Sequence, residues 1–137
     1  MPDPSLTRIV FWLDHAVEIG TSRLALGPIF SSSSHGYDTV DPFRINPRLG
    51  DEGDFVRLVR AAHDRGMRIL LDGVFNHVGR DFARILTDGA DAPDQDWFVL
   101  HWPADATSPQ GYDMFEGHPG LVELNHTSPA VLDSWWR

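Results

Sequence analysis

Three polar side chains, Asp72, Asn76 and His77, follow directly on the apolar run Ile69-Leu70-Leu71. A carboxylate, an amide and an imidazole at the carboxyl end of a strand make a hydrogen-bonding rim, and in parallel α/β folds ligands bind at that end of the strands. By residue type alone, each also has a purely structural role. Asp72 can satisfy loop amides, Asn76 can shape a turn, and His77 can be a hydrogen-bonded core or rim histidine. Tyr37, far upstream, reads on the same terms as a packing aromatic.

The elements that must position these groups are read from periodicity. After Ser5, a good N-cap, Leu6, Ile9, Val10, Leu13 and Val17 recur at helical spacing, and Gly20 is placed to end one amphipathic helix. Arg23 to Phe30 reads as a short buried strand stopped by Gly27-Pro28, because proline has no amide hydrogen for a ladder. Residues 31–47 read as loop. Asp54 is placed to cap a second helix with Phe55, Leu58, Val59 and Ala62 on one face, closed by Gly66. Arg68 to Val74 reads as a second strand, and its unbroken Ile-Leu-Leu run suits burial on both faces, as in parallel sheets.

Helix, strand, helix, strand makes the fold class α/β. Beyond Asn76 about fifty residues pass with weak periodicity before Ser128-Pro129, an N-cap followed by a first-turn proline, starts another helix. The aromatics Trp97, Phe98, Trp102, Tyr112 and Phe115 suggest that this stretch packs rather than wanders. Trp135 and Trp136 read as core, and Asp88, Asp91, Asp94 and Asp96 as solvated surface.

Composition narrows the partners. The 137 residues are 42% hydrophobic and carry a formal charge of −9, which argues against nucleic acid or an anionic membrane. Cysteine is absent, which removes disulfides and thiolate chemistry. Met1-Pro2-Asp3-Pro4 has neither a basic region nor a sustained apolar stretch, so the expectation is a cytoplasmic protein without leader or membrane anchor.

The ordered series Gly27-Pro28-Ile29-Phe30, His35-Gly36-Tyr37-Asp38-Thr39-Val40-Asp41, Ala61-Ala62-His63-Asp64-Arg65-Gly66 and Asp72-Gly73-Val74-Phe75-Asn76-His77 resembles the α-amylase family of glycoside hydrolases and transglycosylases. Leu121-Val122-Glu123-Leu124-Asn125 resembles a further family motif, which usually has Asp where Glu123 stands. The resemblance implies a partial (β/α)8 TIM barrel, about strands two and three with flanking helices. Residues 1–75 would be barrel, 76–127 an irregular domain-B excursion, and 128–137 the start of the next barrel helix. It implies that Tyr37 packs on the substrate's sugar ring, that His77 hydrogen-bonds a hydroxyl of that sugar, and that Asp38 joins them in binding substrate, with Asp41 and Arg44 shaping the same rim. Asp72 would be a structural aspartate at the site, and Asn76 a calcium ligand. The implied partners are an α-glucan or oligosaccharide and the complementary remainder of the barrel.

Retaining enzymes of this type need a nucleophile and an acid/base held about 5–5.5 Å apart. In the family the nucleophile lies in an Arg-x-Asp context, which this sequence does not contain. Asp113, Glu116 and Glu123 fall in or at the end of the excursion, where no rigid element is evident to hold a pair. The parent is thus expected to be an enzyme, and this chain alone to be inactive. The alternative is a non-catalytic carbohydrate- or partner-binding module built on the same barrel.

Overall fold

A computed structural model describes residues 5–82, 95–101 and 111–135, and these form two compact units. The first holds residues 5–31 and 42–73; the second holds 32–41 and the described residues from 74 onward. Trp102, Asp88, Asp91, Asp94 and Trp136 lie outside the described residues, as does the side chain of Trp135. No helix among the described residues is long and apolar enough to cross a membrane.

In the first unit, the expected single N-terminal helix is two: α1 (Ser5–Val10) and α2 (Leu13–Glu18). Between them the amides of Phe11 and Trp12 donate to the carbonyls of Arg8 and Ile9, three residues back, and this tightens the turn. The apolar face survives the break, since Leu6 and Leu13 are both buried, but Phe11 and Trp12 swing outward to 77% and 66% exposure. Val17 is exposed as well.

Strand β1 (Arg23–Leu26) ends where Gly27-Pro28 forbids a ladder. The stretch expected to be loop instead contains β2 (Phe30–Ser32) and β3 (Thr39–Ile45), paired as a two-stranded ribbon. Thr39, Val40, Phe43 and Ile45 suit extended backbone, and Pro42 is tolerated because a two-stranded ribbon leaves each strand with an open edge.

Helix α3 (Glu52–His63) is capped by Asp51, three residues before the expected Asp54. The two aspartates form a reciprocal capping box: Asp54 N–H donates to Asp51 Oδ1 (2.9 Å) and Asp51 N–H to Asp54 Oδ2 (3.0 Å). Asp54 also receives Thr7 Oγ1 at 3.1 Å and pairs with Arg57, so one carboxylate ties α1 to the start of α3. Backbone donation from Asp51 is the main reason its carboxyl titrates below the usual carboxylate range, against the opposing pull of burial. Gly66, at φ +73°, turns the chain into β4 (Arg68–Leu71).

Strands β1 and β4 pair in parallel, Arg23 with Arg68 through Leu26 with Leu71. The core beside them is Leu6, Leu13, Leu26, Ile29, Leu58, Ala62 and Met67. The expectation that β4 is covered on both faces fails within this chain: Leu70 and Leu71 are 49% and 44% exposed. Consecutive strand residues point to opposite faces, so the described residues leave Leu70 and Leu71 partly open on both.

The second unit is built of short pieces. Strand β5 (His77–Gly79) pairs antiparallel with β8 (Leu121–Glu123), and β6 (Leu100–His101) with β7 (Gly111–Tyr112). Isolated bridges join Phe98 to Leu124 and Met114 to Val122. Val78, Phe82, Trp97, Phe98, Val122, Leu124 and Val131 form its core, so the aromatic-rich stretch does pack. Helix α4 (Pro129–Trp135) starts where Ser128-Pro129 indicated, but the Ser128 hydroxyl donates to Asp96 Oδ2 at 2.7 Å.

Replacing Asp51 by Ala removes the acceptor for Asp54 N–H at the start of α3. The expected loss is about 1 kcal/mol of unfolding free energy, read as a lower urea midpoint at unchanged slope.

Candidate functional site

The second unit brings Tyr37, Asp38 and His77 together. The loop between β2 and β3 closes with Ser33 N–H donating to the carbonyl of Asp38 at 3.1 Å, and Gly36 takes φ +99° at its tip. Inside the loop Asp38 is a buried acceptor. Its carboxylate receives Ser34 Oγ at 2.6 Å and His35 N–H at 3.2 Å. Burial alone would raise its pKa, but the Ser34 hydroxyl, its own and the His35 amides, and the nearby His35 ring together hold it below the usual carboxylate range. Asp38 therefore shapes the loop that presents Tyr37.

Tyr37 is 46% exposed, while its backbone N–H and carbonyl are both engaged. Its N–H donates to His35 Nδ1 at 3.3 Å. Its carbonyl accepts from His77 Nε2 at 3.0 Å, and because a carbonyl can only accept, that bond fixes the hydrogen of His77 on Nε2.

His77 opens β5 opposite Glu123 of β8 and is 5% exposed. Its ring stacks on Phe115 with centroids 4.3 Å apart and planes 24° apart. Burial pushes the imidazole below its ordinary 6.5, against the upward pull of the Tyr37 carbonyl and of Glu116 and Glu123. Its Nδ1 is buried with no hydrogen-bond partner.

Two residues down β5, Gly79 lies so close to Asp38 that a Cβ on it would sit 2.6 Å from the Asp38 carbonyl oxygen. Ser33 Oγ adds a second tie by donating to Asp81 Oδ2 at 2.6 Å. Loop and strand are thus tied twice on the C-terminal side of the histidine, once through backbone and once through side chains.

Asp72 is in the first unit, half-buried just past β4, with its N–H donating to the Leu26 carbonyl at 3.1 Å. Asn76 is in the second; its carbonyl accepts from Leu124 N–H at 3.0 Å and its side chain is exposed. Among the described residues no group of three or more His, Asp or Glu side chains could hold a metal ion. Asp41 lies half-buried on β3. Arg44 lines a hollow of about 460 Å³ within the first unit, together with Ile29, Phe30, Phe43, Phe55 and Leu71.

Phe115 and Gly79 were assigned no role from sequence. For Gly79 a signal existed, since a lone glycine in a strand marks a bulge or close backbone approach. Phe115 carried none, because nothing local distinguishes a ring that stacks on His77 from one that fills a core.

Residues 5–126 match the family described as alpha amylase, catalytic domain. A cyclomaltodextrinase of Geobacillus thermopakistaniensis (strain MAS1) is 37% identical over 131 residues, which is 92% of this chain and 22% of that protein. An intracellular maltogenic amylase of Bacillus subtilis is 38% identical over 130 residues, with the same shares. Among solved structures, the native debranching enzyme of Nostoc punctiforme superposes with a TM-score of 0.83 at 34% identity, over 96% of this chain and 29% of that one. Cyclic α-maltosyl-(1→6)-maltose hydrolase of Arthrobacter globiformis in complex with maltose gives 0.85 at 33%, over 95% and 31%.

The chain belongs to the α-amylase family. Its α/β pattern is part of a TIM barrel with the flanking helices and an irregular excursion, and it spans about a fifth of the length of the curated relatives it matches.

Gly79→Ala forces its new Cβ against the Asp38 carbonyl, and the expected destabilisation is about 1–3 kcal/mol by urea unfolding. A second expectation concerns acid. The Asp38 pKa is lower folded than unfolded, so its stabilisation is complete above the ordinary 3.8 and is lost as pH falls through the folded value. Asp38→Asn should lower stability at about pH 7 and flatten the loss as pH falls below the ordinary 3.8, read from urea midpoints at a series of pH values.

Proposed function

We propose that this chain is the N-terminal portion of an enzyme that hydrolyses or transfers α-glucosidic bonds of oligo- or polysaccharides by a retaining mechanism. The observation that carries the reading is the half-exposed Tyr37 ring on a loop whose peptide is held by buried His77. A phenol ring offers a flat apolar face to the carbon-bound hydrogens of a sugar and a polar tip to its hydroxyls. His77, which holds the Tyr37 carbonyl from behind, is assigned the hydrogen bond to a hydroxyl of that sugar that the family resemblance implies. A hydrogen bond of this kind strengthens as positive charge develops on the ring carbon and ring oxygen in the transition state. Asp38 supports both by fixing the loop, and Asp72 is structural.

Two comparisons support the substrate class. Two solved structures of the Arthrobacter globiformis hydrolase are complexes with maltose and with cyclic α-maltosyl-(1→6)-maltose. The Bacillus subtilis relative is described as intracellular, which agrees with a cytoplasmic setting. The exposed Leu70 and Leu71 on β4 suit burial against the remainder of a barrel, and a charge of −9 suits neither nucleic acid nor an anionic membrane. Asn76 has no role in this reading.

Chemistry is assigned to carboxylates beyond this sequence. Asp113 is bonded to His101 at 2.6 Å, and Glu116 and Glu123 flank His77 on separate elements. The expected result is no release of reducing ends from α-glucans by the 137-residue chain. Turnover that survives substitution of Asp113, Glu116 and Glu123 would overturn this assignment. Maltooligosaccharide binding, followed by calorimetry, should be weak in the native chain and lost in Tyr37→Ala; equal affinity in both would remove Tyr37 from the site.

A further inference from the structure

Among the described residues, Glu116 is the one residue other than glycine with a positive φ: it adopts φ +49° and ψ +30° in the turn after β7, followed by Gly117 at φ +76°. That left-handed backbone crowds a Cβ, so glycine is its usual occupant, and a longer residue persists there only where the surroundings over-determine it. The turn itself is well tied. Gly117 N–H donates to the Met114 carbonyl at 3.3 Å, His118 N–H to the Phe115 carbonyl at 2.9 Å, and Met114 bridges to Val122. All three ties are made by backbone and would hold a glycine at 116 equally well. Glu116 is exposed, and among the described residues its carboxylate makes no hydrogen bond or ion pair. The fold thus accounts for the turn and not for a glutamate in it.

The place of the turn does account for one. Phe115 stacks on His77 with ring centroids 4.3 Å apart, and the same imidazole donates to the Tyr37 carbonyl at 3.0 Å. One ring therefore touches both the segment that carries Glu116 and the loop that presents the half-exposed Tyr37. Of the other carboxylates in this stretch, Asp113 is bonded to His101 at 2.6 Å and Glu123 is half-buried in β8.

We infer that Glu116 is a substrate-binding residue that sets specificity: its carboxylate accepts hydrogen bonds from two neighbouring hydroxyls of the neutral glucan that stacks on Tyr37. The inference rests on the proposed sugar contact of Tyr37 and adds the group that reads the hydroxyl edge of the same chain. An aromatic ring reads the flat apolar face of a sugar and says little about its rim. An ionised carboxylate only accepts, and its two oxygens match a pair of adjacent hydroxyls through charge-assisted bonds. It selects against a sugar whose hydroxyls are blocked, which leaves its oxygens without donors, and against one bearing phosphate or carboxylate, which repels it. Because the backbone under Glu116 is already fixed, only side-chain torsions remain to be ordered when the sugar arrives.

Two variants of the full chain separate the strained backbone from the carboxylate. Glu116→Gly relieves the one and removes the other, whereas Glu116→Gln keeps the backbone and removes only the charge. Maltotetraose is titrated into each and followed by NMR, with signals of Val78 and Trp97 reporting the fold and urea midpoints measured alongside. Glu116→Gly should raise the urea midpoint while weakening binding about tenfold, the loss expected when a hydrogen bond to a charged group is removed. Glu116→Gln should leave the midpoint in place and also weaken binding. The native chain should prefer maltotetraose to its 2,3-O-methylated form, and Glu116→Gly should lose that preference. Affinity unchanged in both folded variants overturns the inference, and a lowered midpoint in Glu116→Gly does so too, since the glutamate is then serving the fold. In either case, binding that Tyr37→Ala still abolishes leaves the Tyr37 reading standing. Binding that depends on Glu116 and survives Tyr37→Ala keeps the carboxylate and removes the stack, and a native chain that binds no maltotetraose removes both.

Discussion

Nothing larger than a hydrogen atom fits between the α-carbon of Gly79 and the carbonyl of Asp38. That approach brings β5 against the loop after β2 closely enough for His77 to reach the Tyr37 carbonyl in the same stretch. Everything proposed about the site depends on it. Push the strand away by a methyl group and the imidazole loses its one hydrogen-bond partner, while Asp38 loses the packing that keeps its carboxylate inside the loop. The expense of the arrangement is met locally: Ser34 and the His35 amide satisfy Asp38, and Phe115 satisfies the face of His77 by stacking.

What the sequence made legible was whatever depends on local pattern. The α3 helix is carried by Leu58 and Ala62 on one face, and β1 ends at Leu26 because Gly27-Pro28 must end it. The cap moved from Asp54 to Asp51 because Asp-Glu-Gly-Asp offers two equivalent starts. The second became the reciprocal partner of the first once Thr7 and Arg57 drew it in. The break at Phe11 and Trp12 was hidden for the opposite reason, since Leu6 and Leu13 keep helical spacing across it.

The ribbon from Phe30 to Ile45 was missed because its pairing is non-local and its tip, Ser33 to Asp38, has turn composition. Tyr37 and His77 were both singled out, yet their meeting through a main-chain carbonyl was not readable, because forty residues separate them and no side-chain motif encodes a backbone acceptor. Family resemblance supplied the roles, and geometry supplied the tautomer. The unpartnered Nδ1 belongs to neither source alone: it follows from a carbonyl that takes the Nε2 hydrogen and a ring that stacks on the imidazole face.

The parallel pair of β1 and β4 opens with Arg23 directly beside Arg68, both exposed. Like charges in register repel, and here they stand at the start of a sheet that has two strands among the described residues. Their cost to the pair is also a guard, because two copies of the chain meeting edge to edge in parallel would bring four guanidinium groups into one row. Salt screens that repulsion over about 8–10 Å, so ionic strength acts on this chain as a control over whether its edges tolerate one another. A strand that begins with Asp or Glu meets the same two arginines as partners, and for such a strand the guard becomes a register mark.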